Sequence, residues 1–138
     1  EHIPLAQASA GKNIKHDVSL PISRIGAFIA ATDAQLASAY PGCQVVCFGH
    51  LGDGNLHYNV APSAGMSHEA FLLNQAPINR IVHDSVAAFD GSISAEHGIG
   101  ALKRDDLQRY KDPVELNMMR AIKGALDPLG IMNPGKIL

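Results

Sequence analysis

Three histidines in glycine-rich settings carry the side chains whose types and spacing could do chemistry. His50 and His57 stand on either side of "LGDGNL", with six residues between them. A hairpin that closes around this segment sets the two imidazoles opposite each other on neighbouring strands, with Cβ atoms about 5 Å apart. Imidazole is the commonest zinc ligand, and a catalytic zinc site usually offers three protein ligands and one open position. The pair on its own is ambiguous, and a polar hairpin tip is its plainer reading. The other stretch is "ISAEHGIG", where Glu96 ends a predicted strand and His97 follows at once. Neighbours in an extended chain point to opposite sides, so one of the two can face a metal while the other faces a substrate. Gly98 and Gly100 leave room for a close approach. A surface Glu-His pair before a flexible loop is the plainer reading of this segment alone. Lys15 lies on the polar face of the first predicted strand, where a solvated lysine is the ordinary reading. Asn59 shares the strand face of His57, and either lines the same cavity or is a surface amide.

The elements that must position these residues follow from the hydrophobic pattern. In "NIKHDVSL", Ile14, His16, Val18 and Leu20 alternate with Lys15, Asp17 and Ser19, the pattern of a half-buried strand. Pro21 closes it. A helix is predicted over residues 22–39, ended by Pro41-Gly42. The nearly continuous apolar run from Cys43 to Phe48 predicts a central strand. Gly-Asp-Gly-Asn signals a hairpin turn, and Leu56 to Val60 is the returning strand. Ser67 is placed to cap one long helix reaching Phe89, with Glu69 in its first turn. Asp90-Gly91 breaks that helix, Ser92 to Ala95 forms a short strand, and a last helix runs from Pro113 to Leu126. The residues before Gly11 read as a lead-in without a clean period. The order βαββαβ predicts an α+β ferredoxin-like sandwich with an antiparallel sheet, followed by C-terminal helices.

Composition bounds the partners. A chain of 138 residues with 46% apolar and 17% charged residues can bury one core, so a single domain over 1–138 is expected. A net charge of -2 without a basic run argues against nucleic-acid binding. No apolar stretch approaches the roughly 20 residues that span a bilayer, and no signal peptide is expected. Cys43 and Cys47 share one strand face but lie roughly 13 Å apart along it, too far for a disulfide. Two buried thiols in a reducing compartment are expected, and with them a cytoplasmic location. The chain starts Glu1-His2-Ile3, which fits a piece of something longer.

"FGHLGDGNLHYNV" and "SAEHGIG", with "KHDVSLP" before them and "GIMNPGKIL" after, resemble the C-terminal domain of the FAD-linked oxidases. That family includes D-lactate and D-2-hydroxyglutarate dehydrogenases and the glycolate oxidase FAD subunit. The resemblance runs from Lys15 to Lys136 and implies a ferredoxin-like substrate domain. It also implies an FAD-dependent oxidoreductase that takes a small 2-hydroxy acid to the 2-oxo acid by hydride transfer to flavin. By resemblance, His50, His57 and Glu96 hold a divalent metal, zinc foremost; His97 is the catalytic base; Lys15 and Asn59 contact the substrate; Asn133 lies in the segment that returns toward the flavin. The N-terminal FAD-binding domain of the family has no counterpart in this chain, and no dinucleotide fingerprint leads from a strand into a helix. The chain alone is therefore expected to be inactive. Downstream of the flavin the family implies an electron acceptor: a quinone, an electron-transfer flavoprotein or a cytochrome. A homodimer, and peripheral membrane attachment of the full-length protein, are compatible with the resemblance. Two other classes compete: a stand-alone metal-binding module, and an interaction domain whose partner chain supplies the flavin.

Overall fold

The computed structural model describes residues 12–138, so the lead-in lies outside the described residues. The chain divides into two compact units, Glu1–Glu96 and His97–Leu138. In the first, strand β1 (Ile14–Ser19) is followed by a 3-10 turn (Ile22–Arg24) and helix α1 (Ile25–Ala39). Strand β2 (Gln44–His50), a short 3-10 turn (Leu51–Asp53) and strand β3 (Asn55–Ala61) make a hairpin. Helices α2 (His68–Leu72) and α3 (Gln75–Ala88) complete the unit. The sheet is antiparallel, in the order β1-β3-β2.

Alternation decides the two sheet faces. Ile14, Val18, Leu56, Tyr58 and Val60 are buried together with Phe28 and Leu36 of α1 and Ile78, Val82 and Val86 of α3. Phe28 meets Tyr58 edge-on with ring centroids 5.5 Å apart. The two helices are tied by Thr32 and Ser85, whose hydroxyl oxygens are 2.6 Å apart. His16 belongs to this covered face: Nδ1 donates to the Tyr58 carbonyl at 2.8 Å, and Nε2 lies 3.0 Å from Asn79 Oδ1. The opposite face carries Lys15, Asp17 and Ser19 on β1, Asn55, His57 and Asn59 on β3, and Val46, Phe48 and His50 on β2.

The α+β class and the antiparallel sheet are as expected, while three elements differ. First, β2 is an edge strand rather than a central one, because the returning strand β3 inserts between it and β1. Second, the long helix is two helices. Ser67 does cap α2, its hydroxyl accepting the Ala70 N–H at 3.5 Å, but the chain turns at Leu73-Asn74 before α3 begins. Pro77 explains the break, since a helical proline clashes with the carbonyl four residues before it, here that of Leu73. Third, the strand expected over 92–95 is a single antiparallel bridge beside β1, with Ser19 N–H donating to Ser92 O at 3.0 Å and Ser92 N–H returning to Ser19 O at 2.8 Å. The amides that would extend the ladder are taken by a side chain, that of Asp17, so the segment curls over the β1 edge instead.

Two glycines hold the chain in these paths. Gly54 ends the hairpin turn at φ +74°, where a Cβ would stand 2.3 Å from the Leu20 carbonyl oxygen. Gly91 approaches β1 so closely that a Cβ would stand 2.5 Å from Ser19 O, the acceptor of the bridge.

The second unit contains α4 (Arg104–Tyr110) and α5 (Pro113–Leu126). The α5 bounds are those expected, because Asp112 and Pro113 form a strong start: the Asp112 carboxylate accepts the Val114 N–H at 2.7 Å. The seven residues of α4 are too few to show a period, and the hydrophobic pattern does not predict it. Beyond α5, Asp127 knots the closing turn. Its carboxylate accepts Ile131 N–H and Met132 N–H, both at 2.9 Å, and Lys123 Nζ at 2.5 Å. Lys123 first, then these backbone donors, holds the Asp127 carboxyl below the usual carboxylate range.

Candidate functional site

Strand register arranges the open face of the sheet in rows. One row runs Ser19, Asn55, His50; the next Asp17, His57, Phe48; the third Lys15, Asn59, Val46. His50 is therefore opposite Asn55, not opposite His57 as a hairpin closed around "LGDGNL" would have it. The turn consumes only Leu51 to Gly54, so pairing resumes at Asn55 and His57 lies one row further on. The two imidazoles still share a face, as diagonal neighbours.

Glu96 closes the gap between them. Its Oε1 is 3.2 Å from His50 Nδ1 and accepts Asn55 Nδ2–H at 3.2 Å, while Oε2 lies 4.0 Å from His57 Nε2. Hydrogen bonds from His50 and then Asn55 lower the Glu96 pKa below its ordinary value, with a smaller contribution from the charge on both rings. Ligands at 2.0–2.2 Å from one tetrahedral ion stand roughly 3.3–3.6 Å from each other. The separations here bracket that range, and two imidazoles with one ionised carboxylate make a donor set suited to a borderline divalent cation. By donor chemistry the three suit such an ion, but they do not stand as one mutually close group among the described residues.

The position of Glu96 depends on a residue that the motifs alone do not single out. Asp17 is 5% exposed, and its Oδ2 accepts Glu96 N–H at 3.0 Å, Ala95 N–H at 3.1 Å and Ser94 Oγ–H at 3.4 Å. Its Oδ1 is 3.9 Å from His57 Nδ1, on the ring edge away from Glu96. Phe48 flanks the same ring with centroids 5.1 Å apart. Asn55 is likewise a site residue that the motifs miss. Both are discoverable in principle: Asp17 alternates with Lys15 on one face, and a four-residue turn puts Asn55 opposite His50.

The remaining expected site residues are placed as follows. Lys15 is exposed and directly opposite Asn59, which is buried. His97 opens the second unit as an exposed residue, next in the chain after Glu96. Asn133 is exposed in the closing turn of that unit, at φ +50°. The turn at Gly52-Gly54 leads into β3 rather than into a helix, so it offers no helix N-terminus to a dinucleotide pyrophosphate.

Comparison with known proteins bears on the whole chain. Residues 1–137 match the family model described as FAD linked oxidases, C-terminal domain. D-2-hydroxyglutarate dehydrogenase of Stutzerimonas stutzeri (strain A1501) is 44% identical over 123 residues, 89% of this chain and 26% of that protein. The Xanthomonas citri pv. viticola protein of the same name is 46% identical over 123 residues, with the same coverage of 89% and 26%. The mitochondrial D-2-hydroxyglutarate dehydrogenase of Bos taurus is 40% identical over 139 residues, all of this chain and 24% of that protein. The chain thus spans about a quarter of the length of the curated relatives it matches. With a match that runs from end to end, the chain belongs to the C-terminal domain family of the FAD linked oxidases.

Proposed function

We propose that this chain forms the substrate- and metal-side part of an FAD-dependent dehydrogenase that oxidises a 2-hydroxy acid, of the D-2-hydroxyglutarate class, to its 2-oxo acid. The observation that carries the reading is Glu96 reaching His50 and His57 on an open sheet face that also carries Lys15. The relatives' printed names supply the substrate class.

In this reading His50, His57 and Glu96 hold a divalent cation, zinc foremost, although the same set suits manganese or iron. Such a cation, when bound, supplies a Lewis acid that polarises the substrate oxygens. The Lys15 ammonium pairs with a substrate carboxylate, and the Asn59 amide orients the substrate from the facing strand. His97 takes the 2-hydroxyl proton on a ring nitrogen, acting as a positioned general base. FAD, when bound, supplies the hydride acceptor for C2. We assign the FAD seat to an N-terminal domain outside this chain and give Asn133 a flavin-side role. The isolated chain is then inactive.

The stand-alone metal module is separated from this reading by a full-length protein. In the proposed enzyme, D-2-hydroxyglutarate bleaches the flavin's visible absorbance, and His97→Ala abolishes the bleaching. A colourless full-length product indifferent to 2-hydroxy acids would favour the module. Zinc content equal in the chain and in its His57→Ala variant would sink the metal assignment in both readings.

A further inference from the structure

We infer that the outer edge of β2 seats one further strand, supplied by the polypeptide beyond this chain, so that β2 is an inner strand of the complete sheet. This lies outside the proposed chemistry and shares with it only the longer polypeptide. The two edges of the sheet are built differently. β1 carries the charged Lys15 and Asp17, and its outer side meets the Ser19–Ser92 bridge. Asp17 also takes the amides of Ala95 and Glu96 beside it. Charged side chains and a covering segment are common devices that keep an edge from pairing further. β2 has neither. Among the described strands it pairs with β3 alone, and from Gln44 to His50 it contains no Asp, Glu, Lys, Arg or Pro. Along its outer side the backbone N–H and C=O groups face away from the sheet, the template on which a strand adds.

The side chains agree. Val45, Val46, Cys47 and Phe48 are consecutive apolar residues, the composition of a strand covered on both faces. Yet Val46 is 36% exposed, and Val45, Cys47 and Phe48 are only half-buried. The neighbouring β3, which does have a strand on each side, buries Leu56, Tyr58, Asn59 and Val60. Where β2 begins, Tyr40, Cys43, Met66 and Phe71 help line an apolar cleft of about 180 Å³, open to an incoming apolar side chain. A strand beside β2 sets alternate side chains next to Val46 and Phe48 on one face, and next to Val45 and Cys47 on the other. The fitting partner is therefore extended, uncharged in its middle and apolar on both faces. Linkage points to its source. This chain is about a quarter as long as its relatives. A strand tethered on the same polypeptide docks at an effective concentration of about millimolar, which a second molecule rarely reaches.

Residue-resolved hydrogen exchange on the full-length protein reads the edge. Flanked on both sides, every amide from Val45 to Gly49 should exchange about 100-fold or more below its intrinsic rate. An outer edge protects only every second amide, those directed at β3, and such alternation overturns the inference. A benzophenone amino acid in place of Gln44, an exposed residue at the start of β2, identifies the occupant by photocrosslinking. The expected product keeps the mass of one chain and joins position 44 to a peptide outside these 138 residues. A product of two-chain mass assigns the edge to a second copy and overturns the inference, as does a crosslink confined to these residues. Where no crosslink forms, exchange measured on the monomer decides alone. Neither readout uses flavin or substrate, so a protein that fails to bleach with D-2-hydroxyglutarate sinks the proposed function and leaves this test intact.

Discussion

Lys15 and Asn59 are direct partners across β1 and β3, one exposed and the other buried. The lysine stands one row away from the Asp17–His57 pair, so its charge adjoins the proposed ligands without touching the core. Lys15→Met should leave the melting temperature unchanged, because no buried contact is lost. In the full-length enzyme it should raise KM for the 2-hydroxy acid about 10- to 100-fold, the worth of one charged hydrogen bond. An unchanged KM would remove Lys15 from the substrate site.

Gly54→Ala tests the hairpin that sets the rows. The new Cβ meets a backbone oxygen, that of Leu20, in a left-handed conformation. We expect a loss of about 2 kcal/mol or more in urea unfolding, since the left-handed penalty alone is about 1–2 kcal/mol. A neutral result would mean that the turn relaxes at no cost.

Cys47 should be a sluggish thiol. Burial first, and then the negative charge of Asp33, raises its pKa to about 11. The thiolate fraction near neutrality is then about a hundredfold below that of an ordinary cysteine, and alkylation should slow in proportion. Mass-spectrometric timing of iodoacetamide labelling, peptide by peptide, reads this directly. Labelling of Cys47 at the rate of a free thiol would contradict it.

Asp127 supplies a pH dependence with a definite sign. Its carboxyl is held below the usual range by Lys123 and by the backbone donors of Ile131 and Met132. A depressed carboxylate stabilises the fold fully above its unfolded pKa of about 3.9, and that support is lost as pH falls through the lower folded value. Protection of the Ile131 and Met132 amides, corrected for the intrinsic exchange rate at each pH, should therefore fall only in acid, below about pH 4. Asp127→Asn should show reduced protection of these amides at neutral pH as well.

Much of the fold is legible in the residues themselves. The alternation in "KHDVSL" separates the covered His16 from the open-face Lys15 and Asp17, and the Asp112-Pro113 start marks α5 to the residue. Nearest-neighbour register is not legible, because it depends on how many residues the turn consumes. A four-residue turn places Asn55, not His57, across from His50. Nor can a local pattern show that Asp17 takes the amides of Ala95 and Glu96. That competition between a side chain and a strand ladder is settled by contacts far apart in the chain, and it reduces an expected strand to one bridge. Pro77 is visible as a helix breaker, but the long apolar period around it hides the break.

That single bridge at Ser19 and Ser92 sets a timescale. Glu96 rides on a segment tied to β1 through the Ser19–Ser92 bridge and the Asp17 carboxylate, whereas His50 and His57 belong to a sheet that must unravel to release them. The segment can lift while the sheet stays intact, so the amides of Ala95 and Glu96 should exchange with solvent long before those of β3. The Glu96 carboxylate is thus the hinged member of the three side chains, able to leave His50 and His57 without any unfolding of the sheet.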